Sequence, residues 1–206
     1  MNKFALIALA ALGLSLSAPV LADDAGDPTR GKGLSASCAA CHGADGNSAN
    51  PEWPKLAGQG APYLYKQLVD YKEGRRVDAL MASQVANLSN QDMRDLAAYY
   101  ASQSGSAGSA DESMVALGEQ IYRGGNTATG VAACIACHGP NGQGNPAAMF
   151  PKVAGQHAKY NADQLHYFRD SSRANDAGRM MRNIARRMTD EEIEAVSQYM
   201  SGLTRN

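Results

Sequence analysis

Two short stretches of the chain bring thiols and an imidazole together: Cys38-Ala39-Ala40-Cys41-His42 and Cys134-Ile135-Ala136-Cys137-His138, each followed by a glycine. Cysteines at this spacing serve in disulfides, in four-thiolate zinc sites and in thioredoxin-like redox pairs, but none of those uses explains a histidine directly after the second cysteine. The redox pair also wants a βαβ context, which the chain does not offer. Attachment of haem c accounts for all three residues: the thiols add across the vinyl groups of the porphyrin, and the histidine reaches the iron from one face. The pattern predicts two covalently bound haem c groups, held through Cys38, Cys41, Cys134 and Cys137, with His42 and His138 as iron ligands.

The two motifs head two copies of a longer pattern. Pro54-Lys55-Leu56-Ala57-Gly58-Gln59 recurs as Pro151-Lys152-Val153-Ala154-Gly155-Gln156, and Tyr63, Gln67 and Leu68 recur as Tyr160, Gln164 and Leu165, at an offset of 97. Leu88-Ser89, Leu96 and Tyr99 line up with Met188-Thr189, Val196 and Tyr199 at an offset of 100, so the second copy carries small loop insertions. Internal repetition on this scale predicts two similar units. Between them, 104–110 is built of Ser, Gly and Ala, the composition of a flexible connector. The expected division is a leader at 1–22, a first haem-binding unit at 23–103, the connector at 104–110, and a second unit at 111–206.

The repeat also selects the ligand for the other face of each iron. With the last helices aligned, Met93 pairs with Ile193, Met188 with Leu88, Met180 with Leu80 and Met200 with Tyr100, so these Met stand where ordinary residues serve equally well. Met114 and Met149 have no Met counterpart, whereas Met81 and Met181 coincide. His157 pairs with Gly60 and His166 with Val69, so both are expected to be surface or hydrogen-bonded histidines. Met81 and Met181 are therefore the predicted second ligands. A His/Met pair raises the potential and leaves no open position on the iron, which points to electron transfer and away from catalysis. Arg179, Arg182, Arg186 and Arg187 surround Met181, while 79–87 around Met81 holds no basic residue. This cationic rim is expected to raise the second potential and to steer an acidic partner.

These residues need short helices to position them. Pro62 suits a first helical turn and Gly74 a helix end about twelve residues later. Ser89 with Asp92, and Thr189 with Glu192, are capping boxes opening a last helix in each unit. Met93, Leu96, Ala97 and Tyr100 then share one face, as do Ile193, Val196 and Met200, and no alternating strand pattern stands out. The fold class expected is all-α. Each unit is small, and three Phe and one Trp in 206 residues leave little apolar surface, so a buried prosthetic group would complete each core.

Net charge is -1, which gives no basic excess for nucleic acid. Lys3, the apolar run from Phe4 to Leu16, and Val20-Leu21-Ala22 read as an export signal cleaved before Asp23. No second run of spanning length follows, so the mature chain is expected to be soluble or bound peripherally at a membrane surface.

Taken together, these motifs resemble those of the dihaem cytochrome c4 family, in which two class I cytochrome c domains stand in tandem. The likeness runs through Cys-x-x-Cys-His-Gly, Asp45-Gly46-Asn47-Ser48, Pro54-Lys55-Leu56-Ala57-Gly58-Gln59 and Leu88-Ser89-Asn90-Gln91-Asp92, and covers the whole chain after the leader. The second copy departs modestly, with Met188-Thr189 in place of Leu-Ser. The resemblance implies that a proline carbonyl, of Pro54 and of Pro151, accepts from each ligating histidine, and that Met81 and Met181 complete the ligation. It implies haem propionate edges facing each other across a pseudo-twofold interface. It implies a periplasmic carrier taking electrons from a quinol-oxidising complex to a haem-copper terminal oxidase. A dihaem electron-transfer subunit of a flavoprotein dehydrogenase would use the same fold. A dihaem peroxidase would need one haem able to bind substrate.

Overall fold

The computed structural model describes residues 26–204; the expected leader and the first residues of the first unit lie outside the described residues. Among those described, helices and loops make up the chain, and the only strand-like pairings are the isolated bridges Asn126–Val131 and Asn145–Phe150. The fold is all-α. The first half contains α1 (Pro28–Leu34), α2 (Ala36–His42), α3 (Ala61–Lys72), α4 (Ala79–Val85) and α5 (Asn90–Ser102). In the second half, α6 (Glu112–Gly124), α7 (Ile135–His138), α8 (Ala158–Arg169), α9 (Met180–Ala185) and α10 (Asp190–Gly202) follow the same order.

Local chemistry sets the helix ends. Asp27 caps α1 by accepting from the amides of Thr29 and Arg30, with Pro28 in the first turn. α3 carries Pro62 in its first turn, spans the expected 12 residues, and is followed by Gly74 at φ +73°. Both capping boxes form: the Ser89 and Thr189 hydroxyls accept from the amides of Asp92 and Glu192, whose carboxylates reach back to the cap amides. Each satisfies two amides that a helix start would leave unpaired.

In each half the first helix crosses the last at a glycine. A β-carbon on Gly31 would run into the Asp95 carbonyl of α5, and one on Gly118 into the Ala195 carbonyl of α10. Glycine costs a helix about 1 kcal/mol relative to alanine, and here it permits backbone contact that any side chain would block. The first crossing is further tied down by Asp95, which is fully buried, accepts from the Asp27 amide at 2.8 Å and pairs with Arg30. Burial pushes the Asp95 carboxyl up, but the Asp27 amide, Gln91 and Arg30 outweigh it and hold the group below the usual carboxylate range.

Two cores result. Leu64, Leu96, Ala97, Tyr99 and Tyr100 form the first, with Cys38 packed against it. Ile121, Tyr122, Leu165, Phe168, Met188, Ile193, Val196 and Met200 belong to the second and larger one, against which Cys134 and Met181 pack. The stretch 104–110 is an extended strap. Asn47 accepts from the Ser106 amide at 2.7 Å and donates to the Ser104 carbonyl at 3.0 Å. Gly105 lies against the Ala57 carbonyl and Gly108 against Ser201, too close for a β-carbon. Its small residues serve close packing against both halves, which composition alone had suggested was flexibility.

The halves meet along an interface that repeats itself at the offset of the sequence. Arg76 donates to Gln67 at 2.9 Å in its own half and to Tyr160 and Gln164 at 3.0 and 2.8 Å in the other. Arg173 donates to Gln164 at 2.8 Å and, across the interface, to Tyr63 and Gln67 at 3.0 and 3.1 Å. The tyrosines and glutamines are those the repeat had paired.

Met93 is fully buried, as is its counterpart Ile193. Met93→Ala is expected to cost about 2–5 kcal/mol in denaturant unfolding, the usual range for emptying such a site, while the visible absorption of both haems stays unchanged.

Candidate functional site

α2 and α7 carry the two cysteine-histidine motifs, and each delivers a buried histidine at its C-terminal end. His42 Nδ1 lies 2.9 Å from the Pro54 carbonyl and His138 Nδ1 2.8 Å from that of Pro151. A carbonyl can only accept, so Nδ1 carries the proton in both rings and Nε2 is left with its lone pair. Burial pushes both imidazoles below their ordinary range, although the proline bond works the other way. A neutral imidazole with a fixed tautomer is the form that ligates a metal.

In the second half the predicted residues converge. Cys134, Cys137, His138 and Met181 line one cavity of about 220 Å³, together with Val153, Leu165, Phe168, Ile184 and Val196. Met149, Met180, Met188 and Met200 line it too, so proximity by itself does not single out Met181. Burial pushes the Cys134 thiol up to about 11 and raises that of Cys38 as well. In the first half, Cys38 packs against the core, His42 is buried and Met81 is half-buried on α4. Two of the aligned pairs share their burial, whereas Met188 is buried and its counterpart Leu88 only half-buried. Leu80 and Met180 are 49% and 42% exposed, and Tyr100 and Met200 are both buried. His157 Nε2 lies 2.9 Å from the Ser48 carbonyl and His166 Nδ1 is 3.0 Å from Arg169, so both are hydrogen-bonded histidines as expected.

The cavity reaches the interface, where Gln59, Tyr63, Lys66, Gln67, Arg173 and Asn175 from both halves line it. Arg173 and Arg76 are 7% and 8% exposed, and the partners described above for their guanidinium groups are neutral oxygens. Asn161, also in the lining, has a buried side-chain NH2 without a hydrogen-bond partner among the described residues. Arg173, a buried cation, and Asn161, an unpaired donor, stand in the wall of an apolar cavity, where each is costly unless an anion meets it. Haem c has an apolar macrocycle, two vinyl groups for the thiols and two carboxylates, and these residues fit it. The signal for Arg76 and Arg173 was present in the sequence, since they too lie 97 apart, but composition gave no reason to single them out.

The cytochrome c family model matches residues 28–104 and again 115–204. Cytochrome c4 of Azotobacter vinelandii is 47% identical over 213 residues, covering 98% of this chain and all of that protein. Cytochrome c4 of Pseudomonas aeruginosa is 48% identical over 204 residues, with 98% and 100% covered. The chain belongs to the cytochrome c4 family. The crystal structure of reduced recombinant cytochrome c4 from Pseudomonas stutzeri superposes with a TM-score of 0.85 at 47% identity, over 87% of this chain and 100% of that one. As a cytochrome c4 the chain has two tandem cytochrome c domains, carries two covalently attached haem c groups and transfers electrons.

Mass spectrometry of the denatured protein is expected to find two haems on one chain. Replacing Cys38 and Cys41 together by Ala should leave one, since the second pair of thioethers is independent of the first.

Proposed function

We propose that this cytochrome c4 is a periplasmic carrier whose irons are ligated by His42 with Met81 and by His138 with Met181, and that it passes electrons from a quinol-oxidising complex to a haem-copper terminal oxidase. The units are taken as 23–103 and 111–206, joined by 104–110. The observation that carries the reading is the cavity in which Met181 shares a lining with Cys134, Cys137 and His138. Haem c supplies a one-electron couple at each site, and the chain's residues hold it in one state of ligation. The thiols would anchor the group, the Pro54 and Pro151 carbonyls fix the ring orientation of His42 and His138, and the Met81 and Met181 thioethers would favour the reduced iron. With His42 and Met81, or His138 and Met181, both holding the group, no position would be left for substrate, which supports a carrier over a peroxidase. No helix among the described residues is long and apolar enough to cross a membrane. Reduced protein should be reoxidised rapidly by membranes holding a haem-copper oxidase. A stable complex with a flavoprotein that survives purification, without such reoxidation, would instead favour the dehydrogenase-subunit reading.

Met81→Ala and Met181→Ala should each lower the potential of one haem and alter its absorption alone, because each removes one thioether. Redox titration followed by visible spectroscopy reads both effects.

The surface beside each methionine differs between halves. Around Met81, Val77 is 82% exposed and Leu80 49%, without a basic neighbour in 79–87. Around Met181 the four arginines do not act alike. Arg182 is held by Asp176, at 2.6 Å from Nε and 3.0 Å from its amide, which compensates its charge. Arg187 donates to the Gly130 carbonyl at 2.8 Å, a neutral acceptor, while Arg179 and Arg186 stand exposed. The rim therefore rests on Arg179, Arg186 and Arg187. With Arg179→Gln and Arg186→Gln together, electron exchange with an acidic partner at low salt should slow by about tenfold, within the range that electrostatic steering supplies, and the difference should vanish at high salt. Stopped-flow rates across ionic strength check this.

A further inference from the structure

The peptide unit that serves each histidine is held from the other half of the molecule. Pro54 accepts from His42 through its carbonyl, and the N–H on the same peptide, that of Lys55, donates to Gln156 Oε1 at 2.9 Å. Pro151 accepts from His138, and the N–H of Lys152 donates to Gln59 Oε1 at 2.8 Å. The glutamines are fixed in turn. Gln156 Nε2 donates to the Lys55 carbonyl and Gln59 Nε2 to that of Lys152, both at 2.9 Å. Each Oε1 also accepts from the amide of the residue after it, His157 or Gly60, at 3.0 Å. Only one orientation of each amide satisfies all three bonds. Both glutamines are buried, so water does not compete.

We infer that Gln59 and Gln156 are positioning residues that set the donor strength of the histidine in the opposite half. The physical link is the peptide itself. Its nitrogen and carbonyl are conjugated, so donation from the N–H enriches the carbonyl oxygen, and such chains strengthen each neighbouring bond by roughly 10–30%. A stronger acceptor draws the Nδ1 proton further from the ring, makes the imidazole a better donor to iron, and stabilises the oxidised state. An interface needing only adhesion could pair any two exposed peptides. Both halves use the one that carries the histidine's acceptor.

The inference rests on His42 and His138 being the iron ligands. It predicts a crossed pattern: Gln156→Met raises the potential of the first haem and leaves the second in place, and Gln59→Met does the reverse. Redox titration gives both potentials. Nuclear magnetic resonance of protein labelled at histidine nitrogen gives the Nδ1–H signals, which should move upfield for His42 in the first variant and for His138 in the second. Gln156→Asn, which keeps an amide but falls one methylene short, should shift the same haem in the same direction. Parting of the halves would move both potentials together, and that result, or a shift confined to the mutated half, would overturn the inference. Unmoved Nδ1–H signals would overturn it as well. If the crossed Nδ1–H signal moves while its haem potential does not, the coupling stands and the histidine is not the ligand, so the ligation reading is what fails.

Discussion

Each half is organised around one hydrogen bond, from the histidine's Nδ1 to a proline carbonyl in the loop that follows. It fixes the tautomer, aims the free nitrogen, and ties the cysteine-bearing helix to a segment 12 or 13 residues along the chain. Proline suits the acceptor position: it has no N–H of its own to compete, and its fixed φ stiffens the loop that presents the carbonyl. The next residue in each half supplies the N–H and carbonyl that pair with a glutamine of the other domain. A bond that orients each histidine thus also places the domain interface.

Interface and cofactor cavity are consequently one construction. Closing the interface takes Arg76 and Arg173 out of water, which is expensive for a cation left without partners. Together they share the tyrosine hydroxyls and glutamine carbonyls of both halves, each also lying against an aromatic ring, Tyr71 at 4.7 Å and Phe168 at 4.5 Å. The strap at 104–110 adds to this by filling gaps that admit only small residues. Symmetry holds where the halves face each other and lapses where they face solvent. There the first domain presents Val77 and Leu80 and the second a group of arginines. A carrier with two chemically distinct outer faces can meet its donor and acceptor through different surfaces.

Much of this was legible in the sequence because covalent attachment and capping are local. Cys-x-x-Cys-His needs five consecutive residues, and Ser89 with Asp92 or Thr189 with Glu192 needs four, so chain order determined the cofactor type, the helix starts and the twofold repeat. The repeat also placed Met93 in a core position, and the structure shows it fully buried. What sequence left undecided depends on distances between residues far apart in the chain. Arg182 reads like its three neighbours until folding sets Asp176 against it, and Gly105 reads as flexible until Ala57 is found beside it. Gln59 and Gln156 appear in the sequence as two letters of a repeated motif. Only the packing of one half on the other shows that each reaches about a hundred residues across the chain to the peptide that holds the opposite histidine, since a hydrogen bond depends on where atoms meet and not on their order along the backbone.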